Sequence, residues 1–257
     1  MNVNRVGVIA ANVFREVFRE RVLYLAALFG GLLLLAVTLL TEISADTENK
    51  ITLDLGMAAI GVFGLIIAIF VGTGLIHKEI EKRTALVLMA KPMSRAEFIV
   101  GKHLGLSAVL AVLVFLMTLI FFAIMSFRQF QYPAGSLLIA VGFTLLELVL
   151  LAAVAMAFGV FTSPLVATML TFGVYLMGHL SQNLVTLSQS IENPALKTAI
   201  KGLYLVFPNL STLDLKNQAV YGILPPASEL LANTAYGLIY AVLMLAIATW
   251  IFSYREF

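Results

Sequence analysis

The polar residues that lie inside otherwise apolar stretches are the ones that could do chemistry in this chain. Glu147 stands near the middle of an apolar run, and Tyr175, His179 and Gln182 follow one another at spacings of four and three, which places them on one helical face. A carboxylate is expensive in lipid, so Glu147 should face protein or water. These four residues are candidates for lining a pathway through a membrane. Hydrogen bonding between neighbouring helices, with a protonated Glu147, is the alternative explanation.

Catalysis and cofactor binding by this chain are not expected. The sequence has no cysteine, no catalytic triad and no cluster of metal-ligating residues, and Met177 and His179 do not share a helical face that could hold copper. The segment Gly101-Lys102-His103 lacks the glycine spacing and the hydroxyl of a phosphate-binding loop. We therefore predict no catalytic residue, no metal site, no cofactor and no nucleotide site in this chain.

A second polar region, residues 77–102, separates two apolar runs. It is dense in charge, then apolar, and then reaches the turn Lys91-Pro92. Ser94, with Glu97 three residues later, forms a capping-box pattern, which predicts that a helix begins at Ser94. A short helix, a rigid turn and a capped helix would then protrude from the membrane. A simple solvated loop fits the same composition.

The elements that must position these residues are transmembrane helices. The 257 residues are 61% hydrophobic and 12% charged, far from the composition of soluble domains, so most of the chain must lie in lipid. A span needs about 20 apolar residues. The sequence therefore predicts an all-α integral membrane protein with a single domain, residues 1–257. Its six spans are at approximately 22–41, 55–76, 103–125, 136–161, 165–187 and 230–252.

The distribution of positive charge predicts how these spans are oriented. With six spans both termini lie on one side of the membrane, and segments on that side hold 11 of the 16 Lys and Arg residues. Cytoplasmic loops are the ones enriched in Lys and Arg, so both termini are predicted to be cytoplasmic in a multi-pass protein of the cell's inner membrane. The net charge of +2 is too small to indicate nucleic-acid binding.

Two further segments flank or connect the spans. Residues 1–21 carry apolar side chains at spacings of three and four with arginines between them, which predicts an amphipathic helix along the inner membrane surface. Residues 188–228 form the longest outer loop and mix polar residues, prolines and apolar patches. Short helices that rest on the outer leaflet or dip into it fit this mixture better than a free loop.

The order of residues around the second polar region resembles a known family of transporters. The pattern consists of the amphipathic first helix, the sequence Glu79, Lys82-Arg83-Thr84, Leu88, Lys91-Pro92, Ser94-Arg95, Glu97, Gly101-Lys102, and the closing Phe252-Ser253-Tyr254-Arg255. It resembles the type-2 family of ABC exporter permeases over nearly the full length. The similarity is closest to the small six-span permeases that serve multicopper-enzyme and nitrous oxide reductase maturation. Arg83 stands where many of these relatives have glycine.

The resemblance implies a function that composition alone does not. In that family the segment between spans two and three contains a coupling helix that docks on a separate ATPase subunit, and the permease works as a homodimer. This chain would then be the membrane subunit of an ATP-driven exporter, with ATP and magnesium bound by the partner ATPase. The residues implied in ATPase coupling are Glu79, Glu81, Lys82, Arg83, Thr84, Leu86, Met89, Lys91, Pro92 and Arg95.

Two other functions stay open at this stage. In an ion-coupled secondary transporter, Glu147 and His179 would form a proton relay and no ATPase would be needed. In a membrane scaffold, the chain would transmit ATPase motion to an extracytoplasmic partner bound at residues 188–228.

Overall fold

A computed structural model describes residues 2–19, 23–43, 48–81, 94–190, 198, 200, 202 and 207–254 of the chain. Within this part every regular element is helical, which confirms the all-α class. The main helices are α1 (Val3–Val17), α2 (Leu23–Ile43), α3 (Glu48–Glu81), α4 (Arg95–Phe127), α5 (Ala134–Phe161), α6 (Pro164–Ser190), α7 (Lys216–Val220) and α8 (Ala227–Tyr254). A 3-10 turn, Leu210–Thr212, precedes α7.

Five of the described helices are long and apolar enough to cross a membrane: Glu48–His77, Arg95–Phe127, Ala134–Phe161, Pro164–Ser181 and Ala227–Tyr254. They match the second to sixth predicted spans. The first predicted span corresponds to α2, whose apolar stretch among the residues with described side chains is Tyr24–Leu40. The integral membrane fold is therefore confirmed.

Local sequence explains where several helices begin and end. Ser94 caps α4, since its Oγ accepts the Glu97 N–H at 3.2 Å and the Glu97 carboxylate accepts the Ser94 N–H at 3.0 Å. The predicted capping box is thus confirmed. Between α5 and α6 the chain turns at Thr162-Ser163, and Pro164 begins the next helix, where its missing N–H is not needed.

Helix α5 lies at the centre of the bundle, and α8 lies at its edge. In the most apolar stretch of α5, 67% of the residues are buried, against 22% in α8. Glycines of α3 bring it close to its neighbours: a Cβ at Gly64 would lie 2.3 Å from Leu148 of α5, and one at Gly56 would lie 2.3 Å from Phe121 of α4. The glycine-rich second span therefore packs within the chain.

We call the end of the bundle that carries Asn2, Ser94 and Tyr254 the basal end. The opposite end, which carries Glu48, residues 128–133 and residues 207–228, is the distal end. At the basal end α1 packs along α4, with Val6, Val13 and Val17 buried. The predicted amphipathic helix exists as α1, and part of its apolar face packs on α4. Its position along the inner membrane surface stays a prediction.

Candidate functional site

Three of the four predicted pathway residues meet in the interior of the bundle. Glu147 lies midway along α5 and is 3% exposed, while Tyr175 and His179 lie one turn apart near the middle of α6. His179 Nε2 lies 3.3 Å from Glu147 Oε1, and the rings of Tyr175 and His179 are 4.6 Å apart between centroids. The side chain of Gln182 is not among those described.

Two residues of the predicted outer loop, Asp214 and Lys216, complete this group. Asp214 Oδ2 lies 3.9 Å from His179 Nε2, and Lys216 Nζ lies 3.4 Å from Asp214 Oδ1. Sequence reasoning missed both residues. The signal that could have found them is the run Leu213-Asp214-Leu215-Lys216, in which charged residues alternate with leucines that are buried. We call Glu147, Tyr175, His179, Asp214 and Lys216 the buried polar cluster.

The cluster contains two carboxyl groups and one ammonium group. Burial on its own lowers the pKa of Lys216, but the nearby carboxyl groups of Glu147 and Asp214 raise it more, so that the pKa of Lys216 lies above its ordinary value. Lys216 therefore stays a cation and partly balances the acidic groups. An unbalanced charge in such a place would be strongly destabilising.

His179 has hydrogen-bonding capacity left over. Its two ring nitrogens are buried and make no aligned hydrogen bond with the residues that the structure describes. The 3.3 Å approach of His179 Nε2 to Glu147 Oε1 is therefore a close polar contact rather than an aligned hydrogen bond, and it is an ion pair only when His179 is protonated. Since buried polar atoms are normally paired, the cluster is a place where a further polar group or a proton could be accommodated.

Residues 207–220 carry Asp214 and Lys216 into the bundle, and we call them the distal segment. Leu210, Leu213, Leu215 and Ala219 of this segment are all 3% exposed or less. Three spans make room for it with glycine. A Cβ at Gly178 of α6 would lie 2.6 Å from Leu210, one at Gly61 of α3 would lie 3.3 Å from Lys216, and one at Gly237 of α8 would lie 3.4 Å from Leu213.

A second polar network occupies the basal end and centres on Glu97. The Glu97 carboxylate accepts the Asn2 N–H at 2.6 Å and the Ser94 N–H at 3.0 Å, and it lies 4.0 Å from the Arg5 guanidinium. Glycines again allow the close approach, because a Cβ at Gly101 or Gly105 would strike α1. Glu97 thus ties the start of α1 to the start of α4.

Lys102 and Arg95 extend this network to two other helices. Buried Lys102 donates to Glu79 Oε1 at 2.8 Å and to the Leu75 carbonyl at 3.2 Å, both in α3. Arg95 donates to the Phe252 carbonyl at 2.7 Å and also to the Ser253 carbonyl, both in α8. We call Asn2, Arg5, Glu79, Ser94, Arg95, Glu97 and Lys102 the basal network, and it joins four helices.

Comparison with known proteins decides the family. The family model described as "ABC-2 family transporter protein" matches residues 11–257, almost the entire chain. The chain belongs to the ABC-2 transporter family. The resemblance to type-2 ABC permeases is therefore confirmed, and this ABC-2 protein is the membrane permease subunit of an ABC transporter. No curated protein matches the chain.

The coupling residues predicted for this ABC-2 permease fall partly outside the described structure. Seven of them lie outside the described residues: Lys82, Arg83, Thr84, Leu86, Met89, Lys91 and Pro92. The side chain of Glu81 is not described either. Glu79 and Arg95, which bracket the segment, belong to the basal network. Both ends of the predicted coupling segment are therefore anchored to the helix bundle.

An apolar cavity of about 720 Å³ lies elsewhere, between α4, α5 and α8. Its walls are mostly apolar and include Leu104, Val149, Leu245 and Trp250. The imidazole of His103 also lines the cavity. The buried His103 Nε2 lies 3.0 Å from the Val149 carbonyl and so already has a partner. Glu147, Tyr175 and His179 do not line this cavity.

Proposed function

We propose that this ABC-2 permease is the membrane-spanning subunit of an ATP-driven exporter, in which a separate ATPase subunit hydrolyses ATP. The observation that carries the proposal is the family match over residues 11–257, which includes the whole predicted coupling segment. ABC-2 permeases normally work with an ABC ATPase, and ATP and magnesium would be bound there. Two copies of this chain would form the membrane part of the complex. The complex would lie in the inner membrane of the cell, with both termini of each copy in the cytoplasm.

The basal network supports a coupling role for residues 78–97. A lever transmits force only if its ends are held, and both ends here are fixed: Glu79 pairs with Lys102, and Arg95 binds the end of α8. Motion imposed on the segment would therefore reach α3, α4 and α8 together. The sequence places the apolar residues Leu86 and Met89 midway between these anchors, where an ATPase would dock.

In this proposal the buried polar cluster belongs to the pathway. Glu147, Tyr175 and His179 come from two spans, and they would present polar groups to a substrate in an otherwise apolar interior. Apolar walls with a few polar groups are typical of ligand sites. The outer loop 188–228 is the place where an extracytoplasmic partner would bind in a complex that acts mechanically on its cargo.

The test of the proposal is isolation of the permease after co-expression with its cognate ATPase. The chain alone should neither bind nor hydrolyse ATP, because it has no phosphate loop, and the co-expressed pair should yield a hydrolysing complex. Changing Leu86→Asp together with Met89→Asp should abolish co-purification of the ATPase, since buried apolar anchors supply most interface affinity. The same change at Ile223, which is exposed at the distal end, is the control and should have no effect.

Two outcomes contradict the proposal. Hydrolysis by the purified permease alone would remove the need for a partner. Retention of the ATPase at normal levels by the double variant would show that residues 78–97 are an ordinary solvated loop.

The 3.3 Å contact between His179 and Glu147 favours one second candidate, an ion-coupled secondary transporter with these residues as a proton relay. That function predicts transport in vesicles that hold the permease alone and a proton gradient. The exporter predicts no transport there until ATPase and ATP are added.

A further inference from the structure

The distal segment is unusual for a connection between two membrane spans. Connecting segments normally run over a protein surface, where water satisfies their backbone groups. Here the apolar residues Leu210, Leu213 and Ala219 are fully buried, while Tyr221 and Ile223 just beyond them are 61% and 72% exposed. The buried side of residues 207–220 is therefore inserted into the bundle, while Asn217 and Gln218 are exposed, and the chain leaves the bundle at Tyr221.

Hydrogen bonds to two spans hold the inserted residues in place. The Asn209 N–H donates to Tyr236 Oη of α8 at 2.8 Å, and Ser181 Oγ of α6 donates to Asn209 Oδ1 at 2.8 Å. Asn233 of α8 donates to the Thr212 carbonyl at 3.2 Å. These contacts, together with the glycine-lined seat on α3, α6 and α8, place the distal segment between the helices.

The charges are arranged so that this insertion can be reversed. Asp214 and Lys216 both belong to the distal segment and pair with each other at 3.4 Å, while Glu147 and His179 belong to the spans and lie 3.3 Å apart. If the segment moves out, each half keeps a partner of its own, provided that a proton resides on His179 or Glu147. Withdrawal therefore avoids an uncompensated buried charge, which is the most destabilising outcome of breaking a buried ion pair.

We propose that residues 207–220 are a plug that closes the distal end of the helix bundle, and that the buried polar cluster is the latch that holds the plug in place. The plug is a property of the permease itself and goes beyond the proposed function, because it requires neither an ATPase nor a direction of transport. Tyr175 of α6, Glu147 of α5, His179 of α6, and Asp214 and Lys216 of the plug are the titratable groups that face one another in the latch.

The absence of cysteine from the natural sequence allows a direct test. A single Ala219→Cys places a small thiol at a position that is 0% exposed inside the plug. Open membrane sheets are treated with a membrane-impermeant maleimide, so that the result does not depend on membrane orientation. We expect slow labelling of this thiol, and fast labelling of the Tyr221→Cys reference at the exposed position just after the plug.

Removing the cation of the latch should open the plug. Lys216→Met leaves the carboxyl groups of Asp214 and Glu147 without their ammonium partner, and we expect labelling at position 219 to become about tenfold faster or more, equivalent to about 1.4 kcal/mol in the opening equilibrium. Lys50→Met is the matched control. Lys50 lies at the rim of the plug with its Nζ 5.1 Å from the Tyr221 ring centroid, and its replacement should leave labelling unchanged.

A double variant separates charge from packing. Lys216→Met combined with Asp214→Asn removes both charges of the plug's own pair, and labelling should return towards the slow rate. Three results would overturn the proposal. Lys216→Met could fail to speed labelling relative to the protein that carries only Ala219→Cys, or Lys216→Met with Asp214→Asn could label as fast as Lys216→Met alone. The protein with only Ala219→Cys could also label as fast as the one with Tyr221→Cys. Should Ala219→Cys fail to fold, Val220→Cys, which is 7% exposed, takes its place. All these measurements use the permease alone, so their failure is distinct from failure of ATPase coupling.

Discussion

The basal network and the buried polar cluster use the same residue types in different ways. In the basal network the buried charged groups have short, aligned partners: Glu97 accepts two backbone N–H groups at 2.6 and 3.0 Å, and Lys102 donates at 2.8 Å to Glu79. In the buried polar cluster the distances between charged groups are 3.3 to 3.9 Å, and both ring nitrogens of His179 lack an aligned partner among the described residues.

This difference indicates which end of the molecule is rigid and which end can open. Short charge-assisted hydrogen bonds fix geometry, and those at the basal end join α1, α3, α4 and α8 into one unit. The longer contacts of the cluster join spans to an inserted loop, and their charges separate into two compensated pairs. We infer that the basal end transmits motion and that the distal end responds to it.

The largest expected effect comes from placing the same substitution in each region. Lys102→Met removes the cation from the basal network and leaves Glu79 without its ammonium partner, which should lower stability by about 3 kcal/mol, the range for breaking a buried pair. Thermal unfolding in detergent measures this loss. Labelling at Ala219→Cys should stay slow in this variant. Fast labelling there would show that the two regions are not independent.

A smaller effect is expected from the glycine contact between α1 and α4. A Cβ at Gly105 would lie 2.7 Å from both the Ala10 carbonyl oxygen and Val13 Cβ, so Gly105→Val must push α1 away, at about 1–3 kcal/mol for overpacking. The midpoint temperature of thermal unfolding should fall, and less ATPase should co-purify with the permease. Gly142→Val in α5 is the matched control, because nothing lies within 4 Å of its Cβ. Equal losses in the two variants would contradict the packing argument.

The smallest effect concerns the outermost charge of the basal network. Arg5 is 45% exposed and lies 4.0 Å from Glu97, whose carboxylate already has two hydrogen bonds from the backbone. Arg5→Ala should therefore lower stability by less than about 1 kcal/mol, as exposed ion pairs usually do. A loss as large as that of Lys102→Met would mean that the guanidinium, and not the backbone contacts, holds α1 to α4.

The spans and the start of α4 could be predicted from the sequence because their causes are local. Long apolar runs need about 20 residues to cross a bilayer, and Ser94 with Glu97 satisfies backbone N–H groups within one turn. The polar face of Tyr175 and His179 follows from helical spacing in the same way. These features require no knowledge of which helices are neighbours.

The full membership of the buried polar cluster and the pairing within the basal network could not be predicted, because they depend on tertiary contacts that residue spacing does not encode. Asp214 lies 35 positions after His179, and only the insertion of the distal segment brings their side chains to 3.9 Å. From its place in the charged segment, Glu79 is predicted to contact the ATPase, yet its carboxylate pairs with Lys102 of the next helix. The amphipathic pattern predicts α1 but not its neighbour, and the close packing of α1 on α4 depends on glycines such as Gly101 and Gly105.

The most direct test of the account asks whether ATP hydrolysis at the basal end opens the distal plug. The permease with the single Ala219→Cys is assembled with its ATPase in vesicles, and maleimide labelling is compared with and without ATP and magnesium. A complex with a hydrolysis-deficient ATPase is the control. The account predicts faster labelling during hydrolysis and slow labelling in the control. An unchanged rate while the ATPase is turning over would contradict it.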